Sequence, residues 1–233
     1  MNKIIIASLI ASTITAFSIE KKPLEQVNID AFTEDTQVMP IGSGDNHIAI
    51  IWWIPTEYWE SILLRDTSTS KADKKAMIDT LSGTSLLAVA QADISQLGAF
   101  KLYSKKGISK KMTISCTSAD GENVKLSPIK EINPDLEVVL GTFKPILGAA
   151  LGHLGKSLHF FVLNDKSKSS KRLLDPYSKG QIRIKIPRKD KVVLNANIDL
   201  PLNSLFVPRK CPNGKDAHIS WSYCPWTGKN LAE

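Results

Sequence analysis

Residues 110–127 read KKMTISCTSADGENVKLS, and the fold class turns on how they pair. Met112, Ile114 and Cys116 alternate with Thr113, Ser115 and Thr117, the two-residue period of a strand with one buried face. Ala119-Asp120-Gly121-Glu122 is a turn, and Asn123 to Leu126 returns as a second strand, so 110–127 is an antiparallel hairpin. Cys116 shares the parity of Met112 and Ile114, which makes it a core thiol.

Upstream, His47 to Ile54 (HIAIIWWI) is a short β-branched and aromatic run, a buried strand. Trp52, Trp53, Tyr58 and Trp59 lie within eight residues and read as aromatic core. Pro55 with Glu57 and Glu60 starts a helix over 56–65. Ser70-Lys71-Ala72-Asp73 is a capping box with Asp for Glu, opening a helix over 71–82 that Gly83 ends. Residues 85–90 and 99–103 are further strands. Downstream, Asn133-Pro134-Asp135 caps the longest helix, 134–154, whose apolar residues recur at three- and four-residue steps. Pro145 lies inside it, and Gly148 and Gly152 would admit a second backbone. Strands follow at 157–163, 181–186, 191–200 and 205–207. Without regular βαβ alternation, this order predicts an α+β fold with a mainly antiparallel sheet. Residues 19–207 read as one domain and 208–233 as a tail packed on it.

Residues 1–18 stand apart. Lys3 precedes an apolar run from Ile4 to Ile14, and Ala16-Phe17-Ser18 offers small residues at the −3 and −1 positions of a cleavage site. This pattern predicts a bacterial secretory signal, a mature chain from Ile19, and a periplasmic or secreted address. The apolar run is shorter than the ~20 residues a helix needs to span a bilayer. No segment of the mature chain reads as transmembrane.

The formal charge is +7. Residues 164–191 alone hold ten basic residues and three aspartates, so the remainder sums to zero. Lys166, Lys168, Lys171 and Arg172 lie in its first half. Arg183 and Lys185 alternate with Ile182, Ile184 and Ile186 on the wet face of a strand, and Arg188 and Lys189 follow. These eight side chains are the candidate binding residues. Charge this dense makes a positive patch. For an exported chain it points to an anionic envelope polymer, a lipid head group or a protein, rather than to nucleic acid. A solvated edge strand that uses lysine against aggregation is the alternative use of the same residues.

Catalytic signals are sparse. His159 alternates with Leu158 and Phe160 within a strand and is placed to face a cleft. Asp45 and His47 are close in sequence. An envelope-directed hydrolase with a His and carboxylate site is therefore the second functional expectation. Gly152-His153-Leu154-Gly155-Lys156-Ser157 fails as a phosphate-binding loop, because Ala150 holds the first glycine position and a helix precedes the segment. No motif calls for a cofactor.

The tail carries Cys211-Pro212-Asn213-Gly214 and Cys224-Pro225-Trp226-Thr227-Gly228. It resembles a degenerate pair of zinc-ribbon knuckles, with Gly214 and Thr227 where each second cysteine would stand. The resemblance implies a metal site, yet a structural zinc wants four ligands and His218 would be only a third. In an oxidising compartment the residues predict a Cys211–Cys224 disulfide instead, with zinc as the lesser reading.

Overall fold

The computed structural model describes residues 19–40, 46–118, 121–167, 172–188 and 192–231. The fold is α+β, with antiparallel strand pairing throughout. Its first sheet is organised by β3 (Thr84–Ile94), eleven residues long. One edge pairs with β2 (His47–Ile54) over eight residues, and β2 in turn carries the two-residue β1 (Gln37–Val38). The other edge is shared. β7 (His159–Asn164) pairs with Thr84 to Val89, and β4 (Phe100–Leu102) pairs with Ala92 to Ile94. The second sheet runs β6 (Asn123–Leu126), β5 (Thr113–Thr117), β8 (Gly180–Pro187), β9 (Val193–Leu200).

The 110–127 hairpin forms as expected, with Ile114 opposite Leu126 and Cys116 opposite Val124. Register decides its faces. Cys116 also lies opposite Ile182, and Ile184 opposite Ile114 and Ala196, all buried. The alternate residues of β8, Arg183 and Lys185, sit beside Ser115, Thr113, Asn197 and Asn195 on the polar face.

β2 and β3 are buried on both faces, which explains their nearly unbroken apolar sequences. One large core holds residues of both sheets. Helix α1 (Ile29–Thr36) and α2 (Thr56–Arg65) build its aromatic part. Trp52, Phe32 and Trp59 each meet the Tyr58 ring edge-on, and Trp52 Nε1 donates to Thr36 Oγ1 at 3.1 Å. The tryptophans are core, as read. Helix α3 (Lys71–Leu81) starts at Ser70, whose hydroxyl accepts the Asp73 N–H.

The structure differs from the sequence reading at several elements. α1 escaped notice because it buries only Phe32 and Thr36. Residues 205–207 form no strand; a 3-10 turn at Asn203–Leu205 ends in a single bridge from Phe206 to Lys21. The long helix, α5 (Pro134–Ala150), stops four residues early. A 3-10 turn, Gly152–Ser157, then folds back on it. The close backbone approach pairs Gly148 with Gly155 rather than Gly152, whose φ of +55° makes the turn. A short helix, α4 (Lys105–Ser109), was also not anticipated. Among the described residues no helix is long and apolar enough to cross a membrane.

The tail contains a small hairpin, β10 (Arg209–Lys210) with β11 (Asp216–Ala217). Its own cluster joins Cys211, Ala217, Cys224 and Leu231, with Trp221 against it. Arg209 holds it together by donating to the carbonyls of His218, Ile219, Trp221 and Leu231. Ile219 belongs to the main core, and its N–H donates to Asn203 Oδ1 at 2.9 Å, so the tail is docked.

A Cβ on Gly155 would lie 1.8 Å from the Gly148 carbonyl oxygen, whereas one on Gly148 would lie 3.3 Å from Gly155 O. Gly155→Ala is therefore expected to cost about 2–3 kcal/mol, roughly 5–10 °C in melting temperature for a chain of this size. Gly148→Ala should be near neutral, its mild crowding offset by helix propensity. Thermal unfolding of the two variants checks the contrast.

Candidate functional site

One edge of β7 is taken by β3. Its other edge receives only a short segment, with a bridge between Pro128 and Leu163 and Ile129 N–H donating to Val162 O at 2.7 Å. Next in the chain comes α5, capped by Asn133, whose Oδ1 accepts the Asp135 N–H at 2.8 Å. Leu136 and Leu140 turn into the core. Glu137, Gly141 and Lys144, at helical steps of four and three, line a cleft between α5 and β7. The cleft encloses about 270 Å³. A Cβ on Gly141 would meet nothing within 4 Å, so this glycine leaves the space open.

His159 lies in the cleft, with Ile129, Ile132, Phe160 and Val162 supplying apolar wall. Its Nε2 is 2.9 Å from the Tyr103 carbonyl oxygen, which can only accept, so Nε2 carries the proton. Nδ1 has no partner among the described residues and holds the free lone pair. Burial, followed by the charges of Lys144 and Lys105 against a favourable Tyr103 bond, lowers the imidazole pKa below its ordinary 6.5. The ring is thus neutral at pH 7. Three ammonium groups, Lys105, Lys130 and Lys144, border the cleft against one carboxylate, Glu137. Lys105 Nζ sits 5.6 Å over the Phe161 ring. The cleft combines excess positive charge, one neutral imidazole acceptor and apolar walls.

Of the sequence candidates, His159 is where a cleft was expected. His47 is not in it. It is buried, with Nδ1 2.8 Å from Asp93 Oδ1 and Nε2 3.2 Å from the Gln91 amide. Asp93 also accepts from the Tyr103 hydroxyl at 2.9 Å. This polar cluster lets β3 carry Gln91 and Asp93 past the apolar run at which the sequence reading ended the strand. Asp45, Lys168, Lys171 and Lys189 lie outside the described residues, as do residues 1–18.

The basic stretch divides. Arg183 and Lys185 are exposed on β8, with Arg183 Nε donating to Gln181 Oε1 at 2.5 Å. Lys166 is exposed and bridges backbone with Arg172, and Arg188 is partly buried. Arg172, expected on the binding surface, is held in ion pairs and only partly exposed. Its Nε donates to Asp165 Oδ2 at 2.9 Å, and its two terminal nitrogens grip Glu57 of α2. Asp165 is almost fully buried and accepts as well from Ser85 Oγ at 2.9 Å and Leu174 N at 2.5 Å. Two buried carboxylates drew the guanidinium inward.

The tail cysteines come together as a near-disulfide pair. Both are buried and unbonded, in hydrogen-bond contact with each other. Burial, then the hydrogen bond and charge of Cys224, push Cys211 up to about 11. At Cys224 burial opposes the thiolate, but hydrogen bonds from Cys211, the Thr227 hydroxyl and the Trp226 and Thr227 backbone outweigh it and bring the pKa to about 7. Both segments turn alike. Gly214 N–H returns to Cys211 O and Gly228 N–H to Cys224 O, each at 2.8 Å, and both glycines have positive φ. His218 Nδ1 pairs with Ser220 Oγ at 2.7 Å. Among the described residues no three His, Cys, Asp or Glu side chains gather to hold a metal.

Comparison with known proteins returns no match: no family, no curated protein and no solved structure is significantly similar to the chain.

The Glu57–Arg172–Asp165 cluster joins α2 to the end of β7. Removing its cation strands two buried anions, so Arg172→Met is expected to cost about 2–3 kcal/mol, less than a fully buried pair because the arginine is partly solvated. Adding Glu57→Gln and Asp165→Asn should recover part of that loss. Urea unfolding of the single and triple variants measures both.

Proposed function

We propose that this chain is an exported protein that binds an anionic ligand in the His159 cleft. The observation that carries the reading is the convergence of Lys105, Lys130 and Lys144 from three separate segments on one apolar-walled cavity with a single opposing carboxylate. A ligand bearing a phosphate, sulfonate or carboxylate on an apolar body satisfies both kinds of surface. The basic stretch 164–191 supports the same ligand class. Of its described members, Arg183 and Lys185 are open on a flat polar sheet face, so the cleft is the stronger site.

The probe is naphthalene-1-sulfonate, whose charge does not change with pH, titrated by calorimetry. Lys130→Ala with Lys144→Ala is expected to weaken binding roughly tenfold or more through lost charge-assisted hydrogen bonds. Gly141→Leu should abolish binding while leaving the melting temperature unchanged or higher, since leucine suits an exposed helix better than glycine. Because the His159 pKa lies below 6.5, the ring is neutral at pH 7 and gains charge only as pH falls through that lowered value. Affinity should rise over that descent in the wild type and stay flat in His159→Gln. Binding indifferent to all these variants would sink the reading.

The same cleft supports a second reading, hydrolysis of the bound anion, because a neutral imidazole with a free Nδ1 and the Glu137 carboxylate share it. Turnover of a chromogenic ester lost in His159→Gln, with probe binding at pH 7 retained, would favour this reading.

Export rests on residues 1–18, and the juxtaposed tail thiols suit an oxidising address. Mass measurement of the protein isolated from its producing cell tests both. The expected mass begins at Ile19 and is two hydrogens lighter than the three-thiol chain. A bridge closing this short loop stabilises by about 3 kcal/mol in the chain-entropy model. Retained residues 1–18, or added zinc mass, would overturn the corresponding part.

A further inference from the structure

The β3–β4 hairpin ends in a turn that presents apolar side chains to solvent. Ser95 N–H donates to Ala99 O, Gly98 N–H to Ser95 O, and Gly98 takes a φ of +78°. At this tip Leu97 is 97% exposed, and Phe100 and Leu102 on β4 are 41% and 38% exposed. Among the described residues nothing covers Leu97. His153 stacks on Phe100 at 6.4 Å and, with Lys156, shares a recess with Phe100 and Leu102.

The chemistry around the tip is one-sided. From Ser95 through Ser118 the sequence has no acidic residue and five lysines, at 101, 105, 106, 110 and 111. All five are exposed. Lys101 is on β4 itself, between Phe100 and Leu102. Lys105 and Lys106 begin α4, whose Ser104 cap accepts the Gly107 N–H at 3.2 Å, and Lys110 and Lys111 follow its end. Ile108 anchors that turn in the core, so these lysines stand on fixed backbone three to nine residues beyond the end of β4. Lys101 lies opposite Asp93 in the ladder, a carboxylate already engaged by His47 and Tyr103. Exposed leucine and phenylalanine followed by this run of lysines complement one kind of surface, an apolar layer under an anionic one. Such a surface gains both from apolar insertion and from each nearby cation.

We propose that the β3–β4 tip docks this protein on an anionic lipid bilayer, with Leu97 and Phe100 inserted and the 101–111 lysines on the head groups. The surface is distinct from the His159 cleft, with which it shares only Lys105.

Co-sedimentation with vesicles tests it, using the full chain. Vesicles of equal parts phosphatidylglycerol and phosphatidylcholine are expected to bind it, and phosphatidylcholine alone to bind at least about tenfold more weakly. Binding should weaken as salt is raised. Leu97→Ser with Phe100→Ser should lose roughly tenfold or more on the anionic vesicles. Both sites are exposed, and an unchanged melting temperature confirms that the variant is folded. Lys106→Gln, Lys110→Gln and Lys111→Gln together should lose a comparable factor. Lys130→Ala with Lys144→Ala, which removes the cleft's charge, should leave vesicle binding within about twofold, so the two sites fail independently. Equal binding to both vesicle types, binding indifferent to Leu97→Ser with Phe100→Ser, or no binding at all would overturn the proposal. So would a wild-type dimer that the same double variant converts to monomer, which would assign the tip to a second copy of the chain.

Discussion

A strand buried on both faces must have its backbone paired on both edges and its side chains covered above and below, and β3 sets these demands for the whole chain. Its eleven residues need a partner along each edge. One edge is met by β2 alone. The other is met by two strands in succession, β7 and then β4, which are separated by more than fifty residues of sequence. What lies between them, namely α4, the second sheet's hairpin and α5, must therefore leave the first sheet after β4 and return to it at β7. The cleft sits where β7, released from β3 on its outer edge, is only partly covered again.

The polar positions of β3 show the same constraint from inside. Gln91 is fully buried, and its backbone N–H is taken by Ser157 Oγ at 3.1 Å while its side chain meets His47. Asp93 is held by His47 and Tyr103. At the opposite end Ser85 reaches Asp165, and through it Arg172 and Glu57. Each end of the central strand is tied off by a network of charged and polar groups, and the apolar middle is left to packing. Interaction energy in such networks is shared among members rather than owned by pairs.

Sequence periodicity carried the hairpin at 110–127, the strand at 47–54 and the capped helices, because their patterns are local and their faces clear. It failed where a pattern was too short or too mixed. α1 turns two side chains into the core, one of them Thr36, and α4 one, Ile108. It also failed where polar residues continued a strand, as at Gln91. His159 was legible as a cleft residue from its place in a strand. Lys105, Lys130 and Lys144 were not, since three segments contribute one each and no spacing links them. Counting charge along 164–191 found density but not direction, and Arg172 turned toward Asp165, which the count had scored as opposition, and toward Glu57, which lay outside it. The acid-free stretch 95–118 escaped because acids elsewhere cancelled it in the sum.

The bond from His159 to the Tyr103 carbonyl uses the ring nitrogen that bears a proton in both charge states of imidazole. Titration occurs at Nδ1, on the other side of the ring. Gaining or losing that proton therefore leaves the anchoring bond intact and gives the ring no reason to rotate. The charge of the pocket can therefore step by one unit while the bond that holds the ring is kept, so that its outline and its charge are set by separate atoms of one side chain.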